Sequence, residues 1–151
     1  MSPRPPHAYV PGRTPRHPEG AFDAIRGSVT EGMAPEALPA TAAWRTGLRW
    51  LEEGYYWEAH EVLEPVWMAA PPNAPERHMV QAVIQAANAR LKRRMERPRA
   101  AERLEARVAA LLRECALSGR DRVMGIALAE APGWLLDGES VVGQDDPECA
   151  K

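Results

Sequence analysis

The sequence predicts an all-α fold, a compact antiparallel bundle of about five helices. Three observations carry this expectation. Apolar residues recur at helical spacing along most of the chain, and clear alternating apolar runs are absent. Ala, Leu, Arg and Glu abound, whereas Phe occurs 1 time and Tyr 3 times. The 151 residues are enough for one domain with a real core, and hydrophobic and charged contents of 45% and 26% are ordinary for a globular protein.

Residues 1–18 are rich in proline and carry Arg4, Arg13, Arg16, His7 and His17. That composition cannot build a core, so a disordered arm is expected, followed by a single helical domain over 19–137. Phe22, Ile25 and Val29 predict a short helix over 21–30, and Gly32, Pro35 and Pro39 a loop. Thr41 is a suitable N-cap for a helix whose inward face is Trp44, Leu48 and Leu51 and whose end is Gly54. The next helix runs from Trp57 to Trp67, ahead of the break Ala69-Ala70-Pro71-Pro72-Asn73-Ala74-Pro75.

Glu76 to Met95 reads as a helix with a wide apolar arc (Met79, Val80, Val83, Ile84, Ala86, Ala87, Leu91) and a polar stripe of His78, Gln81, Gln85, Asn88 and Lys92. The stripe is mostly uncharged amide, suited to polar networks because Gln and Asn both donate and accept. Ala100 to Cys115 is regularly amphipathic, with Leu104, Val108 and Leu111 inward. Val123–Leu128 is expected to add a helical turn or two, Trp134 to plug the bundle, and residues 138–151 to form a flexible acidic tail.

Several function classes are disfavoured. A net charge of -2 gives no basic excess for bulk attraction to nucleic acid. Cys115 and Cys149 are too few and too far apart for a disulfide framework or zinc knuckle, and read as free thiols. No apolar run approaches the roughly 18 residues of a membrane span, and the N-terminus lacks a signal-peptide core. A cytoplasmic location without a membrane partner is expected, and the sequence leaves homo-oligomerisation open.

Chemistry concentrates in the Trp57–Trp67 helix. At about 100° per residue, Trp57, His60, Glu61, Glu64 and Trp67 fall within an arc of roughly 120°, opposite Ala59, Val62, Leu63 and Val66. Pro65 cannot donate to the carbonyl of Glu61, which is left seeking a cation, a water or a donor side chain. His60 and Glu64, at i and i+4, have the spacing to share a divalent metal, with Glu61 beside them. The pattern is only half of H-E-x-x-H, since Glu64 replaces the second histidine. The run Arg90-Leu91-Lys92-Arg93-Arg94, with Arg97 and Arg99, sits near a helix C-terminus, where the dipole favours cations.

Gly54-Tyr55-Tyr56-Trp57-Glu58-Ala59-His60-Glu61-Val62-Leu63-Glu64, then Trp67, then Gln81-Ala82-Val83-Ile84-Gln85-Ala86-Ala87 resembles the bacterial and archaeal family called domain of unknown function 309. The two motifs stand in the right order, and the resemblance covers about residues 44–112. It implies a small all-α bundle with the His-Glu helix packed on the Gln helix, and that His60, Glu61, Glu64, Gln81 and Gln85 belong together. Ala82 stands where the family often has glycine, which implies slightly wider helix spacing, and Pro65 is not a family hallmark. No activity comes with the family.

The expected function is therefore a binding or structural role for a polar pocket formed by His60, Glu61, Glu64, Gln81 and Gln85 between two helices, flanked by Trp57 and Trp67. One alternative is a metal-dependent hydrolase using His60, Glu61 and Glu64. Another is RNA or acidic-partner binding through Lys92–Arg99. A structural role predicts close protein partners for each of these side chains and no open cleft. A metal site needs at least three ligands converging at about 2.0–2.2 Å.

Overall fold

The computed structural model describes residues 4–137. Four helices make its body: α2 (Ala42–Glu53), α3 (Tyr56–Ala69), α4 (Pro75–Arg94) and α5 (Pro98–Ala116). Before them come the four-residue α1 (Asp23–Arg26) and a 3₁₀ turn at Pro35–Ala40, and after them α6 (Ala131–Asp137). α3 packs between α2 and α4, α5 packs on α4, and α6 lies against both α4 and α5. The all-α expectation holds. The expected acidic tail, 138–151, lies outside the described residues.

The local signals explain where helices begin and end. The Thr41 hydroxyl accepts a 3.2 Å bond from the Trp44 N–H, and the hydroxyl in turn donates to Leu38 O, so the α2 cap also ties the helix to the 3₁₀ turn. Gly54 closes α2 at φ 91°, a left-handed position that a side chain disfavours. Pro75 and Pro98 open α4 and α5, where a missing N–H costs nothing.

The core is continuous through the bundle. Trp44, Leu51, Leu63, Val66, Met79, Val80, Val83 and Val108 are fully buried, and Trp50 and Trp134 join them. α2 and α3 approach closely at Gly47, where an added Cβ would overlap the buried Leu63 side chain.

Two expectations about the chain ends are corrected. Val123–Leu128 forms a hairpin, β1 (Arg122–Val123) with β2 (Ile126–Ala127), in place of a helical turn. Its two-residue turn has φ 54° at Met124 and 77° at Gly125, the type I′ geometry that suits a tight hairpin. The Trp44 indole N–H donates to Met124 O at 3.1 Å and holds that turn. Arg4–Pro18 are the second correction. They form neither helix nor strand, but they lie against the bundle with Pro5 and Val10 buried, where composition predicted a disordered arm. The Thr14 hydroxyl bonds Ala8 O and the Val10 N–H, folding the segment on itself.

Gly47→Ala is expected to destabilise the protein by about 1–3 kcal/mol through overpacking against Leu63, measured by chemical denaturation. Cys115 gives a pH prediction. Burial, with lesser contributions from Glu76 and Glu114, pushes its thiol up to about 11. The stabilisation is complete below the ordinary thiol value and lost as pH rises to the folded value. Between them only the unfolded chain releases the proton. From pH 9 to 11, a Cys149→Ser chain should lose roughly 2 kcal/mol more than the same chain with Cys115→Ala.

Candidate functional site

α3 buries Glu58, Ala59, Val62, Leu63 and Val66. The aliphatic members were expected there, but the carboxylate was not. Glu58 has no exposed surface, and its Oε2 accepts two 2.6 Å bonds, one from the Tyr9 N–H and one from His17 Nε2. A buried carboxylate is tolerated when it is paired and hydrogen-bonded, and short charge-assisted bonds are the strong ones. Its Oε1 is buried without a partner among the described residues.

Aromatic rings surround the pair. His17 stacks on His7 at 4.5 Å and on Trp57 at 5.9 Å, and meets Phe22 edge-on at 5.2 Å. Phe22 continues to Trp50 at 5.3 Å. His7 is fixed from its other side by a 2.7 Å bond to Pro15 O. An open cleft of about 480 Å³ lies beside this cluster, bounded by Arg16, His17, Phe22, Arg26, Trp57 and Glu61.

Pro65 acts here as the sequence suggested. The Glu61 carbonyl, deprived of its helical donor, accepts from Arg26 Nη1 of α1. The same guanidinium lies 4.0 Å from the Glu61 carboxylate and 3.8 Å from that of Glu64. Arg26 and Phe22 are thus further site residues that the sequence reading missed.

The expected pocket residues divide between two places. His60, Glu64, Trp67, Gln81 and Gln85 line one groove of about 230 Å³ between α3 and α4, with Met68 and Ile84. Trp57 and Glu61 belong to the cleft beside α1. Within the groove, His60 Nε2 and Glu64 Oε2 are 3.8 Å apart, beyond hydrogen-bond range. Gln85 Oε1 accepts from Asn88 at 3.2 Å, and Arg77 lies 4.1 Å over the Trp67 ring, whose buried N–H has no partner among the described residues.

The metal set of the alternative reading, His60, Glu61 and Glu64, does not assemble: among the described residues, no three His, Cys, Asp or Glu side chains come together as ligands. Glu61 instead faces Arg26. Much of the basic run is paired with other parts of the chain. Arg90 donates to Trp134 O at 2.7 Å, and burial lowers its pKa. Arg93 forms a two-pronged pair with Glu105 at 3.1 and 2.6 Å, which raises its pKa. Arg94 donates to Gly54 O at 2.7 Å and lies over the Tyr56 ring. No helix among the described residues is long and apolar enough to cross a membrane.

Residues 44–104 match the family model described as Domain of unknown function (DUF309). This segment contains both sequence motifs that carried the resemblance. The matched segment holds most of α2, all of α3 and α4 and the first part of α5, including Glu58 and the groove residues His60, Glu64, Trp67, Gln81 and Gln85. His17 and Arg26 lie outside it. Searches among curated proteins and among solved structures give no match.

Removing Glu58 takes away the acceptor for both Tyr9 and His17. Glu58→Ala is expected to lower stability by roughly 3 kcal/mol, as for one partner of a buried pair, and to speed hydrogen exchange at the Tyr9 amide. Denaturation and exchange mass spectrometry check both effects.

Proposed function

We propose that the protein is a binding protein whose ligand lies in the groove between α3 and α4. The observation that carries this reading is that the groove's polar groups are only partly satisfied by the protein. A purely structural cluster would bond each of its side chains to the protein and leave no opening. Here His60 and Glu64 stand beyond hydrogen-bond range of each other, Glu64 meets the Arg26 guanidinium only at 3.8 Å, Gln85 is bonded by Asn88 alone, the Gln81 side chain has no hydrogen bond among the described residues, and the groove is open.

The lining indicates the ligand's chemistry. Gln81 and Gln85 offer donors and acceptors, Glu64 offers an acceptor with negative charge, and Trp67, Ile84 and Met68 supply an apolar floor. A small molecule or short side chain with an apolar body and a polar, donor-bearing end fits this arrangement. The groove's approximately 230 Å³ suits a ligand smaller than a dinucleotide or haem.

Gln81→Ala and Gln85→Ala separate binding from structure. If the groove serves a ligand, each change should alter stability by no more than about 0.5 kcal/mol. Amide shifts around His60, Gln81 and Gln85 that small fragments produce in the wild type should vanish in the variants. A stability loss of about 2 kcal/mol or more, with fragments binding nowhere in the groove, returns the cluster to a structural role.

A further inference from the structure

Gln81 is common to two cavities. It lines the α3–α4 groove, and it also lines an open cleft of about 430 Å³ between α4 and α5, with Asn73, His78, Arg107, Leu111 and Glu114. We infer that this cleft holds the far end of the groove's ligand, an elongated small zwitterion. Its cationic donor lies at Glu64, its apolar body along Trp67 and Ile84, and its carboxylate at Arg107. The inference rests on the groove reading above and names a ligand class for it.

Arg107 marks the anionic end. It is exposed and has no hydrogen bond or ion pair among the described residues, whereas Arg93 and Arg120 are held by Glu105 and Glu76. The helical positions three and four residues from it are Arg103, Leu104, Ala110 and Leu111, so α5 offers it no carboxylate neighbour. Glu114 lines the cleft as well, but towards its other end. α4 and α5 run antiparallel, since Pro75 at the start of α4 meets Cys115 and Arg93 near its end meets Glu105. Glu114 therefore lies level with the first turns of α4, near His78, while Arg107 lies level with Gln81 and the turn beyond it, which carries Gln85. Seven residues of helix put Glu114 roughly 10 Å from Arg107, about a Debye length at physiological salt. Arg107 thus keeps its charge beside the unbonded Gln81 amide, and a guanidinium fork with an amide donor at its side matches a carboxylate.

The cationic end follows from charge balance on α3. Glu61 and Glu64 share the single guanidinium of Arg26 at 4.0 and 3.8 Å, so these three groups together carry one net negative charge. Arg26 also donates to the Glu61 carbonyl, which ties it to the α1 side. Glu64 is the carboxylate that lines the groove, and an ammonium arriving there restores the balance. Because the two charged ends belong to different cavities, a chain of several carbons must join them, and Trp67 and Ile84 give that chain an apolar bed.

The test uses 4-aminobutanoate, 6-aminohexanoate and 8-aminooctanoate beside the alkylamines of the same chain lengths. Each is titrated into the full-length protein at pH 7 and followed through the amide shifts of His60, Gln81 and Gln85 and the Arg107 side-chain Nε signal. At least one amino acid should bind about tenfold or more tightly than its amine and shift the Arg107 signal. Arg107→Gln should remove that advantage while the amine's own affinity stays within about twofold, since an exposed side chain is dispensable for folding. Arg103→Gln, one turn earlier on α5 and outside the cleft, should preserve the advantage. Glu64→Gln should weaken amine and amino acid alike by about tenfold.

An amino acid series with no gain over the amines overturns the inference, as does a gain that survives Arg107→Gln or is lost equally in Arg103→Gln. Amine binding that ignores Glu64→Gln overturns the cationic end. A series that shifts no groove signal also overturns the inference, and the groove reading falls with it only where the small fragments are silent as well.

Discussion

A carboxylate sealed inside a helical bundle sets the terms for the rest of this protein. Glu58 stands one and two turns before Val62 and Val66 on the face of α3 that faces the core, so it cannot swing out to water without disturbing that helix. Left alone there it would be costly, and its compensation comes from a segment about 40 residues earlier. The Tyr9 amide and the His17 ring supply donors to one oxygen, and His7, Phe22 and Trp57 pack around the ring. The position of an otherwise irregular N-terminal stretch is therefore dictated by one buried charge rather than by any propensity of its own.

Helix α3 meets a second demand through its proline. Pro65 leaves the Glu61 carbonyl open, and Arg26 fills the gap from a helix of only four residues. α1 buries no residue fully, and its place is fixed by this guanidinium, by Phe22 reaching Trp50 and His17, and by Ile25 packed against the core. Polar needs on α3 thus join apolar packing in deciding how the first 30 residues run.

Legibility from sequence followed the range of each interaction. Thr41 and Gly54 marked the ends of α2 because caps act within a few residues. Met79, Val80, Val83 and Leu91 declared the inner face of α4 by spacing alone, and Pro65 announced an open carbonyl at Glu61. The i, i+4, i+8 relation of Glu58 to Val62 and Val66 was also in the sequence, but a carboxylate is ordinarily assigned to solvent. Nothing local could couple it to His17, 41 residues away. Proline-rich composition pointed to disorder because it lacks apolar periodicity, and periodicity is blind to a segment held by a few strong polar bonds. Val123–Leu128 was too short for its period to distinguish strand from helix, with Gly125 as the one turn signal.

Arg26 has a consequence of its own. Its guanidinium stands between two carboxylates that belong to different cavities, Glu61 on the α1 cleft and Glu64 on the α3–α4 groove. A guest that engages Glu64 withdraws part of the counter-charge from Arg26 and leaves the cation more fully to Glu61. A guest that engages Arg26 in the cleft frees Glu64 in the groove. A ligand of either cavity that drew on this shared cation would therefore shift the affinity of the other cavity for its own ligand, by the same factor in both directions.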